Sequence, residues 1–182
     1  MSDWKIQYWD SPLFLVYVSG RDQPKIAIIN GLLDLYDKNS VEIVISTYVI
    51  AEVRSIPEDD SPTSTGNQGL EAVSTVTFTP EEMERVQKLF ESPQLDYRVL
   101  TPRIASHAAE IGNRFPRLLP PDCVHIATAL EANADVLFTW DGAGRRRRPG
   151  DMLRYDGMID GLRIMQPFVP MGPLFDPSRA QS

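Results

Sequence analysis

Four acidic residues occupy places where a carboxylate can do more than face solvent. Asp10 closes the run Lys5-Ile6-Gln7-Tyr8-Trp9, and Asp141 closes the run Val136-Leu137-Phe138-Thr139-Trp140. Asp122 follows Pro120-Pro121, and Glu52 sits among Val49, Ile50, Ala51 and Val53, where a charge asks for a partner. Each has a plainer reading. Asp10 and Asp122 suit helix caps, Asp141 before Gly142 suits a turn, and Glu52 suits the solvent side of a helix. If the four converge, the plain readings are not enough. Two carboxylates about 4 Å apart repel by roughly 4 kcal/mol at an effective dielectric near 20, and several such pairs force protonation or disrupt the fold. A bound cation removes the conflict. Ligands that are all oxygen favour a hard ion, Mg²⁺ or Mn²⁺. Such an ion activates water and stabilises the charge on a cleaved phosphodiester, so an anionic pocket can handle an anionic substrate.

The elements that must position these acids alternate between strand and helix. Lys5 to Trp9 reads as a first strand ending at Asp10, and Pro12 suits the first turn of a helix through the apolar run Leu13 to Val18. Lys25 to Lys38 has helical spacing, with Ile28, Leu32, Leu35 and Tyr36 on one face. Val41 to Ile45 is the second strand, and Ser46 or Thr47 caps a helix to about Ile56. Thr79-Pro80-Glu81-Glu82 starts a helix that runs to about Glu91. Tyr97 to Leu100 is the third strand, and Thr101-Pro102 opens a helix with Ile104, Ala108 and Ile111 on one face. A helix from about Asp122 to Ala132 leads to a fourth strand, Val136 to Thr139, and Leu162 to Met165 is the fifth. The alternation implies an α/β fold: a mostly parallel sheet with helices on both faces, and ligands beyond the carboxyl ends of its strands.

Bulk properties bound the reading. The chain of 182 residues fits one domain, taken as residues 1–166, with a flexible insertion at 57–69 and a Pro-rich tail from 167 to 182. Cys123 is the lone cysteine, which points to a reducing, cytoplasmic setting without disulfides, and no apolar run is long enough to span a bilayer. A net charge of −7 argues against coating nucleic acid by bulk charge but not against gripping it locally. The four consecutive cations Arg145, Arg146, Arg147 and Arg148 follow Asp141 closely. They suit RNA phosphates, a solvated loop or an acidic protein segment.

Four segments together resemble the PIN-domain family. They are Tyr8-Trp9-Asp10-Ser11, Ile45 to Val53 around Glu52, Pro121-Asp122-Cys123-Val124-His125-Ile126-Ala127-Thr128-Ala129-Leu130, and Ala134-Asp135 leading to Thr139-Trp140-Asp141. Their order and spacing span about Lys5 to Pro167. The resemblance implies a three-layer sandwich around a five-stranded parallel sheet. It implies Asp10, Glu52, Asp122 and Asp141 as a catalytic, metal-binding quartet, and ribonuclease activity with Mg²⁺ or Mn²⁺. It also implies a toxin of a toxin–antitoxin pair, with an antitoxin partner and a homodimer. Two positions depart from the family pattern: Pro12 stands where Asn is common, and Gly142-Ala143-Gly144 where a further acid is common, which leaves the number of ions at one or two.

Lesser features carry two readings each. Ser11, Ser46 and Thr139 suit either contact with the carboxylates or ordinary capping, and for Ser46 and Thr139 capping is the simpler expectation. His125 shares a helix face with Asp122 and reads as a supporting or core residue. His107 and Cys123 read as structural, and Trp9 and Trp140 as packing residues or base-stacking platforms. Two alternatives cover the whole chain. One is an inactive scaffold binding RNA or protein. The other is a phosphotransfer domain using Asp10, which Pro12 and the lack of a lysine after the fourth strand disfavour.

Overall fold

The computed structural model describes residues 4–53, 55–57, 75–93, 95–143 and 150–169. In chain order the elements are β1 (Ile6–Trp9), α1 (Ser11–Ser19), α2 (Gln23–Asp37), β2 (Glu42–Ser46), α3 (Thr47–Glu52), β3 (Ser55–Pro57), β4 (Thr75–Thr77), α4 (Pro80–Phe90), β5 (Leu95–Arg98), α5 (Pro102–Arg114), α6 (Pro120–Glu131), β6 (Val136–Phe138), a 3-10 turn (Met152–Tyr155) and β7 (Arg163–Met165). Five strands form one sheet in the order β5-β2-β1-β6-β7. Every neighbouring pair in it is parallel. β1 is the central strand. The chain adds β2 and β5 on one side of it, then crosses to add β6 and β7 on the other, so the reversal in strand order falls beside β1. In open α/β sheets the crevice at that reversal is where ligands bind.

Both faces of the sheet are covered, and the strand pleat sorts residues between them. Tyr8 pairs in register with Val44 and Leu137, and Leu137 with Ile164. All four sit in one core cluster, with Ile104, Ala108 and Ile111 of α5 and Ile126 and Ala129 of α6. Trp9, Ile43, Ile45, Val136 and Phe138 point the other way, into a second cluster with Leu13 and Phe14 of α1, Ile29 and Leu32 of α2 and Val86 of α4. Strands buried on two faces need apolar residues at consecutive positions, as in Ile43-Val44-Ile45 and Val136-Leu137-Phe138. The result is the three-layer α/β sandwich expected from the sequence. Among the described residues no helix is long and apolar enough to cross a membrane.

Three expectations need correction. The helix after β2 stops at Glu52 instead of about Ile56, and Ser55–Pro57 pairs antiparallel with Thr75–Thr77 in a separate ribbon. The residue before a proline disfavours helix, and Pro57 with β-branched Val53 and Ile56 turns the chain extended there. The third sheet strand is Leu95–Arg98, two residues earlier than expected, because Val99 and Leu100 are 64% and 39% exposed. The buried face of α2 is centred on Ile29 and Leu32, with Ile28, Leu35 and Tyr36 only half-buried beside it. At the C-terminal end, Phe168 packs edge-on against Trp4 at 5.5 Å and Phe138 at 6.4 Å, and Val169 lies against Gly31 so closely that a Cβ there would meet it at 2.4 Å. Residues 170–182, and residues 58–69 of the expected insertion, lie outside the described residues.

Candidate active site

The carboxyl ends of β1, β2 and β6 lie side by side, and the chain places a polar residue at each. Asp10 follows β1 and caps α1. It is 3% exposed. Its Oδ1 accepts from the Ser11 N–H at 2.8 Å and its Oδ2 from the Thr139 hydroxyl at 2.6 Å. Thr139 does the ordinary work of a strand-end hydroxyl, accepting from the Asp141 N–H at 2.9 Å, and it also reaches across from the end of β6 to hold Asp10. Ser46, at the end of β2, does cap α3 through the Tyr48 N–H at 3.2 Å. α3 then carries Glu52 back toward β1, where the Ser11 hydroxyl donates to its Oε2.

His125 of α6 joins these acids from the other face of the sheet. It is 1% exposed. Its Nε2 lies 2.7 Å from Glu52 Oε2 and 3.4 Å from Asp10 Oδ1. Its Nδ1 lies 2.8 Å from the Tyr8 hydroxyl. In the sequence His125 reads as a supporting or core residue, and Tyr8 does not stand out. The available signal for His125 was its position three residues after Asp122, on one helical face. Tyr8 offered none, since in the sequence it is one more strand residue. Asp10, Glu52 and His125 each offer a ligand atom within 4.8 Å of the others. His107 also has a carboxylate neighbour, Asp160 at 3.8 Å, on the surface beside Arg114.

Asp122 and Asp141 complete the acidic end. Asp122, in the first turn of α6, reaches back to accept from the Leu119 N–H at 3.2 Å. Asp141 Oδ2 accepts from the Met152 N–H at 2.6 Å, which ties it to the start of the 3-10 turn. The plainer readings hold as well, since Asp122 closes the N-terminus of α6 from its third position and Asp141 sits in the turn with Gly142, and these bonds fix where each carboxylate points. Burial, then the charge of Asp141, and less strongly that of Asp10, push the Asp122 carboxyl up to about 7. Burial also raises Asp10, partly countered by His125 and by Thr139. At Glu52 burial pushes upward but is outweighed by His125 and Ser11, so the net shift is downward. At His125 burial favours the neutral ring, and Asp10, Glu52 and Asp122 outweigh it and raise the value. Carboxylates that burial and their neighbours' charges press upward, as at Asp122 and Asp10, have the donor chemistry of a hard divalent cation site. The residues fit such an ion.

Behind Asp141 the backbone turns at Gly142 with φ +81°, where a Cβ would meet Asp151 Cβ at 2.5 Å. Asp151 thus lies beside the turn that carries Asp141, although ten residues separate them. Gly142→Ala adds both a clash and left-handed strain. It should cost at least about 1–2 kcal/mol in urea unfolding and loosen Asp141. An unchanged unfolding midpoint would show that the turn yields freely. Arg145 to Arg148 lie outside the described residues.

A parallel α/β sandwich with carboxylates at the strand ends beside the reversal in strand order offers a donor set suited to a hard divalent cation. Comparison with known proteins narrows the reading. The model of the PIN domain matches residues 13–147, and the chain belongs to this family. Glu52, Asp122 and Asp141 fall within the match and Asp10 lies just before it. PIN domains are generally nucleases and use divalent metals. Among solved structures the chain is similar to VapBC2 from Rickettsia felis bound to a DNA fragment from its promoter. The TM-score is 0.48, with 15% identity over 80% of this chain and 96% of that one. No curated protein matches.

Proposed function

We propose that this chain is a ribonuclease dependent on Mg²⁺ or Mn²⁺, with Asp10, Glu52, Asp122 and Asp141 as its catalytic quartet. The observation that carries the reading is the placing of Asp10, Glu52, Asp122 and Asp141 around the carboxyl ends of β1, β2 and β6, where burial first, then the charges of Asp141 and Asp10, push the Asp122 carboxyl up to about 7. A fold retains crowded buried acids when something it binds repays their cost. The four carboxylates would hold the ion, which when bound supplies water activation and stabilisation of phosphate charge. The chain's other residues set the geometry. Ser11 acts twice, through its N–H on Asp10 and its hydroxyl on Glu52. Thr139 fixes the second oxygen of Asp10, and the Met152 N–H fixes Asp141. Arg145 to Arg148 are assigned to RNA phosphates on their place in the sequence, close after Asp141.

The same reading makes the protein the toxin of a toxin–antitoxin pair, acting in the cytoplasm as a homodimer and restrained by a protein antitoxin. It rests on family membership. The domain is taken as residues 1–166, and the segment 167–182 begins packed against it, through Phe168 on Trp4 and Phe138 and Val169 on Gly31. The test is incubation of purified protein with end-labelled RNA in Mn²⁺, in Mg²⁺ and in EDTA. Cleavage in either metal that stops in EDTA is the expected result. No cleavage across several RNAs, from protein free of any copurifying inhibitor, would favour an inactive scaffold that binds RNA or protein.

A further inference from the structure

Tyr8 is fully buried on the central strand, and proton counting around it constrains the site. A phenol has one proton to give and two lone pairs. The Ser46 N–H donates to the Tyr8 oxygen at 3.2 Å, which uses one lone pair. The other partners of the hydroxyl among the described residues are His125 Nδ1 at 2.8 Å and the Ser46 side chain, so His125 Nδ1 is the well-placed acceptor for the phenol proton and the Ser46 hydroxyl the alternative. On the far edge of the ring, Nε2 faces Glu52 Oε2 at 2.7 Å and Asp10 Oδ1 at 3.4 Å. The ionised Glu52 carboxylate only accepts, so Nε2 must carry a hydrogen there. Both edges of the ring call for the same arrangement: a lone pair on Nδ1 and a proton on Nε2. The opposite tautomer sets a lone pair against a carboxylate and an N–H against the phenol, whose proton must then turn to the Ser46 side chain.

We infer that Tyr8 is a positioning residue whose hydroxyl, oriented by the Ser46 N–H, commits His125 to the Nε2–H tautomer, so that His125 donates to Glu52 and Asp10 and does not ligate metal. By atom type and distance alone, His125 Nε2 groups with Asp10 and Glu52 as a metal donor. The hydrogen-bond pattern removes it from the donor set and leaves carboxylate oxygens only. Nitrogen donors suit Zn²⁺ and all-oxygen sites suit Mg²⁺ or Mn²⁺, so Tyr8 biases the site toward a hard ion. Glu52 Oε2 is held by His125 and Ser11, and its Oε1 takes no hydrogen bond among the described residues. The role of the inference in catalysis rests on the nuclease reading above; its statement about the ring does not.

The test is ¹⁵N NMR of the imidazole rings at pH 8, with and without Mg²⁺. The chain has two histidines, and His107→Gln assigns them. In the wild type, Nε2 of His125 should be protonated and Nδ1 unprotonated, and both should stay so when Mg²⁺ is added. Tyr8→Phe should move the Nδ1 resonance toward that of a lone pair without a donor. It should lower kcat about tenfold or more with KM for RNA unchanged, as loss of an outer support does. A protonated Nδ1 in the wild type, loss of the Nε2 proton on adding Mg²⁺, or a Tyr8→Phe protein with unchanged ring signals and kcat would each overturn the inference. If the ring signals are as expected and wild-type protein cuts no RNA, the nuclease reading alone fails.

Discussion

Asp122→Asn should abolish cleavage and, in the same protein, raise the stability of the metal-free fold at neutral and alkaline pH. The two effects share a cause. Burial, Asp141 and Asp10 hold the Asp122 carboxyl at about 7, well above its ordinary 3.8. A raised acid contributes stability that is fully present below its unfolded value and is lost as pH rises through its folded value. Above about pH 7 the wild type therefore keeps a partly buried charge that an amide does not carry. Asn also retains an oxygen for the Leu119 N–H, so the start of α6 survives the change. After allowance for screening at a partly exposed group, the gain above pH 8 is on the order of 1–2 kcal/mol, or a few degrees of melting temperature, and it vanishes near pH 4. Loss of the carboxylate should lower cleavage by roughly 10³-fold or more. Thermal melts in EDTA at pH 4 and pH 8, beside an RNA cleavage assay, measure both. A variant that cuts RNA at the wild-type rate sinks the role of Asp122. A variant less stable than the wild type at pH 8 shows that the fold, without metal, already compensates the charge.

That trade explains why cap positions and catalytic candidates coincide here. Asp10 caps α1, Asp122 closes back on Leu119, and Asp141 accepts from Met152. A backbone N–H fixes one lobe of a carboxylate without using up its lone pairs, since each oxygen has capacity for a second partner. The carboxylates are thereby oriented before any ligand arrives. A capping reading and a functional reading of the same residue are not rivals in such a site.

The legible part of the protein was the part where local chemistry and global fold ask for the same residue. Asp10 followed by Pro12 reads as strand end and helix start from either view, and the structure has both. Thr79-Pro80-Glu81-Glu82 opened α4 as expected, with the reciprocal Thr79 and Glu82 capping bonds in place. What misled was apolar character taken without its surroundings. Val99 and Leu100 look like strand and stand in solvent, while the pleat buries Leu95. The short ribbon of Ser55–Pro57 and Thr75–Thr77 is a long-range pairing with no local signal. In the site, the acids showed themselves by their odd settings, but Tyr8 did not. A tyrosine in a buried strand looks like packing until the helix that covers it supplies His125 from 117 residues away.

Mg²⁺ or Mn²⁺ should raise the melting temperature of the wild-type protein, and raise it more at pH 8 than at pH 5.5. Carboxylate ligands bind a cation only after losing their protons, so affinity falls wherever the metal must displace one. At pH 5.5 Asp122, at about 7, is mostly protonated, and Asp10 is raised in the same direction. Glu52 is shifted downward and is charged at both pH values, so it adds little to the difference. At pH 8 the metal meets an Asp122 that is mostly ionised and also relieves its repulsion with Asp141, which the metal-free fold bears more heavily there. An ion at about 100 times its dissociation constant stabilises by about 2.7 kcal/mol. For one displaced proton the affinity drops about tenfold per pH unit below 7. Scans at both pH values, with metal or with EDTA, read the effect directly. Asp122→Asn supplies the internal control, because removing the proton that metal must displace should flatten most of the pH dependence while leaving a weaker site. Equal stabilisation of the wild type at pH 5.5 and pH 8 would mean the ion binds away from Asp122. Equal stabilisation of wild type and Asp10→Ala would mean that it binds away from Asp10 as well.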